Sequence, residues 1–264
     1  MYSEIVDSRE AARASELASF EHPYLTGSLP AGEPLGVVHV GADQPQPRLF
    51  KIRGADTQGQ RSSANILIKR RYAWRGYQHA SLPADQSANR ITLSASEHDD
   101  IVGTITIGLD SPEGLHAEEI FGAEVRALRR AGKRICEFTK LAMDPGSGAK
   151  QVFASLVHVA YIFAHRFKGC DTLLIEVNPR HVSYYTRMIG ARVLGAERMN
   201  GRVNAPAVLL CVDFHHTREQ IERFGGHPEL SAVERSLYPY AFSAAEEAGI
   251  IGRLQHSRWS SRIN

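Results

Sequence analysis

RICEFTKLAMDPGSGAKQVFASLVHVAY, residues 134–161, is the stretch on which the fold turns. Residues 134–143 alternate and are then punctuated by DPGSG, which predicts a strand followed by a turn. Residues 150–167 follow with apolar positions on more than one face, among them Val152, Phe153, Leu156, Val159 and Phe163. Such wrapping predicts a buried helix rather than a surface one. Backbone N–H groups in a glycine turn at a helix N-terminus can hold a phosphate, which makes Gly146 and Gly148 candidates. The same glycines also suit a plain tight turn.

Downstream, DTLLIEV (171–177) is a continuous apolar run, as a central strand covered on both faces requires. NPRHVSYYTRMIG (178–190) reads as partly helical and stops at Gly190. ARVLGAERM (191–199) and APAVLLCVDF (205–214) read as two further strands. Upstream, a helix is predicted over about 117–131, with Glu118 and Glu119 in its first turn and Arg129 and Arg130 in its last, complementing its dipole. RITLSAS (90–96) and IVGTITIGL (101–109) form a predicted hairpin around EHDD. A helix over 62–75 and a strand over 48–53 precede it. The order predicts an α/β fold, a mixed sheet flanked by helices, over residues 47–214.

Residues 1–46 read as an extension, with a short polar helix over 8–19 and then Pro- and Gly-rich punctuation. Residues 215–264 read as a tail of amphipathic helices interrupted by YPY at 238–240. Leu230, Val233 and Leu237 share one predicted face, and Ile250, Ile251 and Leu254 another.

Composition sets bounds on function. The 264 residues are 43% hydrophobic and 23% charged, with a formal net charge of +2 that gives no reason to expect nucleic acid. No run reaches the roughly 18 apolar residues of a spanning helix. The polar, acidic N-terminus has no apolar core of a signal peptide, which predicts a cytoplasmic protein. Cys136, Cys170 and Cys211 lie in apolar runs without a C-x-x-C pair and read as buried thiols. The twelve histidines show no metal-binding spacing.

Two places can carry chemistry. Strand alternation puts Glu137 among apolar neighbours, where a carboxylate is costly unless paired. Unpaired, its proton affinity rises and it can serve as a general base; paired, it is structural. After the central strand come Asn178, His181, Tyr184 and Tyr185, at the strand end where α/β sheets bind ligands. A phenol there can protonate a leaving thiolate, or two tyrosines can pack a short helix.

This combination resembles the GNAT acyltransferase superfamily over about residues 48–213: the hairpin with IVGTITI, the strand running into a glycine turn and buried helix, and LIEVNP followed by a tyrosine and a glycine. EFTKLAM is similar to the E-x-S-R-F/L-A-V pattern of acyl-homoserine-lactone synthases and of the related N-acyl amino acid synthases. NPRHVSYYTRMIGA resembles the N-P-R-H-x-x-F-Y-x-R-x-x-G-F segment of the latter, which move a fatty acyl chain from acyl carrier protein to the amine of an amino acid.

The resemblance implies a pantetheine arm lying as a pseudo-strand between the strands of 134–143 and 171–177. It implies substrate contacts at Lys140, Leu141, Ala142, Met143, Gly146, Gly148, Asn178 and Tyr184, with backbone N–H near Leu141–Met143 stabilising the oxyanion. Glu137 acts as, or helps position, the base; Tyr185 returns a proton to the thiolate; His181 serves either proton step or holds the acceptor's carboxylate. No metal or redox cofactor is implied beyond the acyl thioester co-substrate. Met143 stands where the superfamily's pyrophosphate loop has Arg or Gln, Lys140 replaces an Arg, and Ala191 stands where an aromatic often follows the glycine. The first change favours a carrier-protein donor over coenzyme A, and Arg129, Arg130, Lys133 and Arg134 are candidates to meet an acidic carrier. The tail's apolar faces either cover a long acyl chain or complete the core or an oligomer interface. Other readings are a lactone synthase, an acetyl-CoA N-acetyltransferase and a non-catalytic acyl-binding module.

Overall fold

The structure, a computed structural model, describes residues 16–22, 48–74, 76–77, 80–82, 87–145 and 149–256. Eight strands form one sheet: β1 (Glu16–His22), β2 (Arg48–Gly54), β3 (Arg90–Glu97), β4 (Asp100–Leu109), β5 (Ile135–Met143), β6 (Thr172–Val177), β7 (Arg192–Asn200) and β8 (Ala205–Asp213). Their spatial order is β1-β2-β3-β4-β5-β6-β8-β7. β5 and β6 run parallel, and the other neighbouring pairs among the described residues are antiparallel. The helices are α1 (Gln58–Ala73), α2 (Glu118–Arg130), α3 (Ala149–Tyr161), α4 (Val182–Ile189), α5 (Phe214–Phe224) and α6 (Ala244–Gln255). The α/β expectation of a mixed sheet flanked by helices holds.

Local sequence explains most element ends. Thr57 and Gln60 form a reciprocal capping box that starts α1. α3 opens into a π-helical turn, Ile162–Phe167, before β6. Gly190 ends α4 with φ +69°, a left-handed cap that glycine adopts without strain.

One face of the sheet packs against α3, with Val152, Leu156 and Phe163 fully buried against Cys136, Phe138 and Leu173. On the other face two separate clusters form. α1 places Ala64, Leu67 and Ile68 with Ala142, and α2 places Phe121 and Val125 against Ile135, Leu174 and Leu209. The ground between those clusters is polar. Among the described residues no helix is long and apolar enough to cross a membrane.

Two sequence expectations are corrected. The helix expected over 8–19 is absent where it is described: Glu16–His22 is an edge strand on β2. Its partners lie far off in sequence. Glu16 meets Arg53 and Lys51, Leu17 is buried, and Arg253 of α6 donates to the Leu17 carbonyl at 2.7 Å. The face expected from Leu230, Val233 and Leu237 does not form either. Residues 228–240 hold only short 3-10 turns, Val233 is exposed and Leu237 is buried. Cys136 and Cys170 are buried as expected, and Cys211 is half-buried.

β5 is interrupted by a bulge. Thr104 pairs with Ala142 and Thr106 with Thr139, so Lys140 and Leu141 together face Ile105 alone. Lys140 has φ +51°, a conformation that non-glycine residues seldom adopt. The fully buried Thr104 holds the bulge, its hydroxyl donating to the Lys140 carbonyl at 2.9 Å. Thr104→Val keeps the shape and removes that donor. It should lower the unfolding free energy by about 1–3 kcal/mol in equilibrium urea denaturation; an unchanged midpoint would show that the bulge needs no anchor.

Candidate active site

β5 and β6 pair only from Ile135↔Thr172 to Glu137↔Leu174. Beyond that they separate, and the bulge at Lys140 and Leu141 lies on β5 past the last pair. A cavity of about 1200 Å³ fills the gap. Its walls come from both faces of the sheet. Tyr72, Tyr77, His116 and Ala117 line it from the α1 and α2 side, and Phe153, Val157, Tyr184 and Met188 from the α3 and α4 side. The void therefore passes through the sheet.

Glu137 stands where the pairing ends and its side chain is almost wholly buried. Oε1 accepts from Arg90 Nη1 at 2.8 Å and from the His116 amide at 2.9 Å; Oε2 accepts from the Ala117 amide at 3.1 Å. Arg90 also donates to the Gly114 carbonyl at 3.1 Å. The pair closes across the intervening strand, because Arg90 faces Gly108 and Gly108 faces Glu137. A Cβ on Gly108 would stand 2.9 Å from Glu137 Cγ and 3.2 Å from Arg90 Nη1. One carboxylate thus fixes the 114–117 loop that leads into α2.

A second carboxylate, Glu176, lies on β6 two residues past the last pair and also lines the cavity. It accepts from Arg202 Nη2 at 3.1 Å and from Asn200 Nδ2. Burial pushes its pKa above the ordinary carboxylate range, against the pull of Arg202, and nearby Glu137 adds to the rise. Arg202 is shared, meeting Glu119 at 3.2 Å and the His116 carbonyl at 3.3 Å. Burial also lowers the pKa of His116; Glu137 opposes that shift, and the cations of Arg90 and Arg202 reinforce it. Lys140 is lowered by burial, then by Arg202 and Arg90.

The sequence-derived candidates fall as follows. Lys140, Leu141 and Met143 line the gap along β5, and Asn178, His181, Tyr184 and Tyr185 line it beyond β6. Ala142 is buried beneath α1. Asn178 caps the 3-10 turn Pro179–His181, accepting from the Arg180 amide at 3.3 Å, and donates to the Pro206 carbonyl at 3.5 Å. His181 Nε2 accepts from Arg180 Nε at 3.3 Å. Tyr184 and Tyr185 meet edge to face at 5.4 Å, and burial raises the Tyr184 pKa. Gly146 and Gly148 lie outside the described residues.

The basic group expected to meet a carrier sits elsewhere. Arg134 marks the paired end of β5, joined to Asp171 through backbone and side chain. Arg129 is occupied by Asp110 and Glu118. None of Arg129, Arg130, Lys133 and Arg134 lines the cavity. The cations that do so near α3 and α4 are Lys150, Arg187 and Arg235. Of the described tail only Arg235 lines it; Ile250 and Leu254 are buried in the core.

Sequence reading missed Arg90, His116, Glu176, Asn200 and Arg202. Gly108 within a strand was one available signal, since an in-strand glycine marks close approach. Glu176 within an apolar central strand was another. Among the described residues no cluster of three or more His, Cys, Asp or Glu could hold a metal.

Residues 63–213 match the family described as N-acyl amino acid synthase FeeM. Among solved structures, FeeM, an N-acyl amino acid synthase from uncultured soil microbes, aligns at 25% identity with a TM-score of 0.57, covering 64% of this chain and 94% of that one. The acyl-homoserine-lactone synthase LasI aligns at 12% identity and a TM-score of 0.45, over 62% of this chain and 90% of its own. An aminoglycoside N(6')acetyltransferase from Legionella pneumophila aligns at 12% identity and 0.44, over 65% and 95%. No curated protein matches the sequence.

Arg90→Leu leaves Glu137 buried without its cation. Breaking one side of a buried pair costs about 3–5 kcal/mol, which urea denaturation of the variant should show. A loss below about 1 kcal/mol would mean that the two loop amides alone satisfy the carboxylate.

Proposed function

The chain belongs to the N-acyl amino acid synthase family and is an acyltransferase with a GNAT-like sheet, and on that premise we propose that it moves a long fatty acyl group from acyl carrier protein to the amine of an amino acid. The observation that carries this reading is the cavity through the sheet. At about 1200 Å³ it exceeds the roughly 300–1000 Å³ of ordinary small-molecule sites. A two-carbon group needs little of that room, whereas each buried methylene contributes about 0.8 kcal/mol against an apolar wall. Phe153, Val157, Tyr184, Met188 and Ile189 supply such a wall.

The unpaired edges of β5 and β6 suit the amides of a pantetheine arm, which would add as a strand. The bulge at Lys140 and Leu141 takes backbone out of the β4 ladder, and its N–H groups are suited to the developing oxyanion. Glu137 in this reading helps position rather than reacts: both its oxygens are engaged, and it holds the His116–Ala117 loop against the gap. Tyr185 lines the cavity and returns a proton to the leaving thiolate.

Two features support a carrier-linked donor. Met143 folds its thioether against Gly103 and offers no charge to a pyrophosphate. Lys150, Arg187 and Arg235 at the α3 and α4 side suit the single phosphate of phosphopantetheine and an acidic carrier behind it.

The test is steady-state kinetics of the full chain with matched donors from two to sixteen carbons, each on acyl carrier protein and on coenzyme A. Carrier-linked donors of ten or more carbons should be used at least tenfold better in kcat/KM than acetyl donors and than their coenzyme A counterparts. A preference for acetyl groups would remove the long-chain reading, and equal use of coenzyme A thioesters would remove the carrier.

A further inference from the structure

At the α2 end of the cavity both lining carboxylates are paired with an arginine, and one lysine stands outside the pairs. Glu137 meets Arg90 and Glu176 meets Arg202. Lys140 also lines the cavity, and no hydrogen bond or ion pair among the described residues joins its ammonium. It lies within electrostatic reach of Arg202, Arg90 and Glu137. A half-buried cation beside two others favours an incoming anion.

The two carboxylates differ in how they are held. Glu137 is bound partly by backbone amides, which cannot swing away. Glu176 is bound by the side chains of Asn200 and Arg202, and its side chain keeps 16% of its exposure against 3% for Glu137. Arg202 already bridges to Glu119, so it can release Glu176 without losing an acidic partner. Glu176 therefore has lone pairs to offer to a cation in the cavity.

We propose that this end of the cavity binds the acceptor as a zwitterion, its ammonium against Glu176 and its carboxylate against Lys140, and that Glu176 takes the ammonium's proton. The inference rests on the acyl-transfer reading above. The ammonium loses one proton to a Glu176 oxygen, and the freed nitrogen lone pair forms the N–C bond to the thioester carbonyl. The C–S bond breaks with its electron pair on sulfur. The second proton leaving nitrogen goes to that thiolate, leaving amide and thiol, and Glu176 returns its proton to solvent.

The test uses the full chain with dodecanoyl-acyl carrier protein. The twenty proteinogenic amino acids are screened first, and the best is then compared with its carboxamide. Glu176→Gln should lower kcat/KM about a hundredfold. Its rate should then climb about tenfold per pH unit toward the amine's pKa, as only free amine reacts, whereas wild type stays flat near neutrality. The charged groups packed about Glu176 are Arg202 from the β7–β8 turn and Glu137 from β5, with His116 from the loop before α2 beside them, and all are kept in that variant. Lys140→Met should raise KM for the amino acid at least tenfold and abolish the preference for acid over carboxamide. Circular dichroism melts check folding. Should Glu176→Gln fail to fold, Glu176→Asp is read instead, and it should keep the flat profile with a reduced rate. A Gln variant with wild-type rate and profile, an Asp variant whose rate climbs with pH, or a wild type indifferent to the carboxamide, overturns the proposal while leaving acyl transfer standing. A wild type that acylates no amino acid overturns both.

Discussion

Pairing between β5 and β6 stops after three residue pairs, and the site exists because of that stop. A sheet is normally a barrier, since each strand edge is satisfied by its neighbour. Here the one parallel pair among the described residues closes at Glu137↔Leu174 and opens beyond. The bulge at Lys140 adds local twist to β5 just past that point, and Thr104 keeps it in place. β6 is held on its other side by pairing with β8 along its whole length, from Thr172↔Asp213 to Val177↔Val208. The strands diverge between two fixed neighbours, which is why the gap is a stable void and not a frayed edge.

The polar ground on the α1 and α2 face follows from the same stop. Glu137 is the last residue of β5 paired with β6 and points to the face where the two apolar clusters fail to meet. A carboxylate there needs a cation and donors, or burying it costs several kcal/mol. Gly108 lets Arg90 reach it from two strands away, and the His116 and Ala117 amides complete its hydrogen bonds. The start of α2 is thereby tied to the centre of the sheet. His116 and Ala117 become cavity wall because they bind Glu137.

Periodicity made the strands and helices from Arg48 to Asp213 legible, because each buries a face of its own. Glycine made the α4 stop legible, since Gly190 needs its left-handed φ. β1 was not legible. ELASFEH has neither a clean alternation nor a turn signal, and its strand state comes from pairing with β2 and a bond from Arg253, over two hundred residues away. The Lys140 bulge was hidden for a different reason: a lysine gives no sign of positive φ, which Thr104 and the flanking pairs impose. Cavity-lining residues were legible where they belong to EFTKLAM and NPRHVSYY. Arg90, Asn200 and Arg202 were not, because their only relation to Glu137 and Glu176 is through the folded sheet.

The two sides of the gap sort ligands by solvation rather than by shape. Toward α3 and α4 the wall is mostly carbon, with Phe153, Val157, Met188 and Ile189. Away from Lys150, Arg187 and Arg235, a charged group placed against those side chains would lose its hydration with no partner to replace it. Toward α2 the wall carries Glu137, Lys140, Glu176 and Arg202, with Arg90 behind it on Glu137. An alkyl chain placed there would displace water from ions and gain little apolar contact. An apolar chain and a charged small molecule are therefore driven to opposite faces of one sheet. The point at which they can touch is the break between β5 and β6, beside backbone that the bulge has taken out of the β4 ladder. On the proposed reading, bond formation is confined to that break because neither substrate is stable on the other's side.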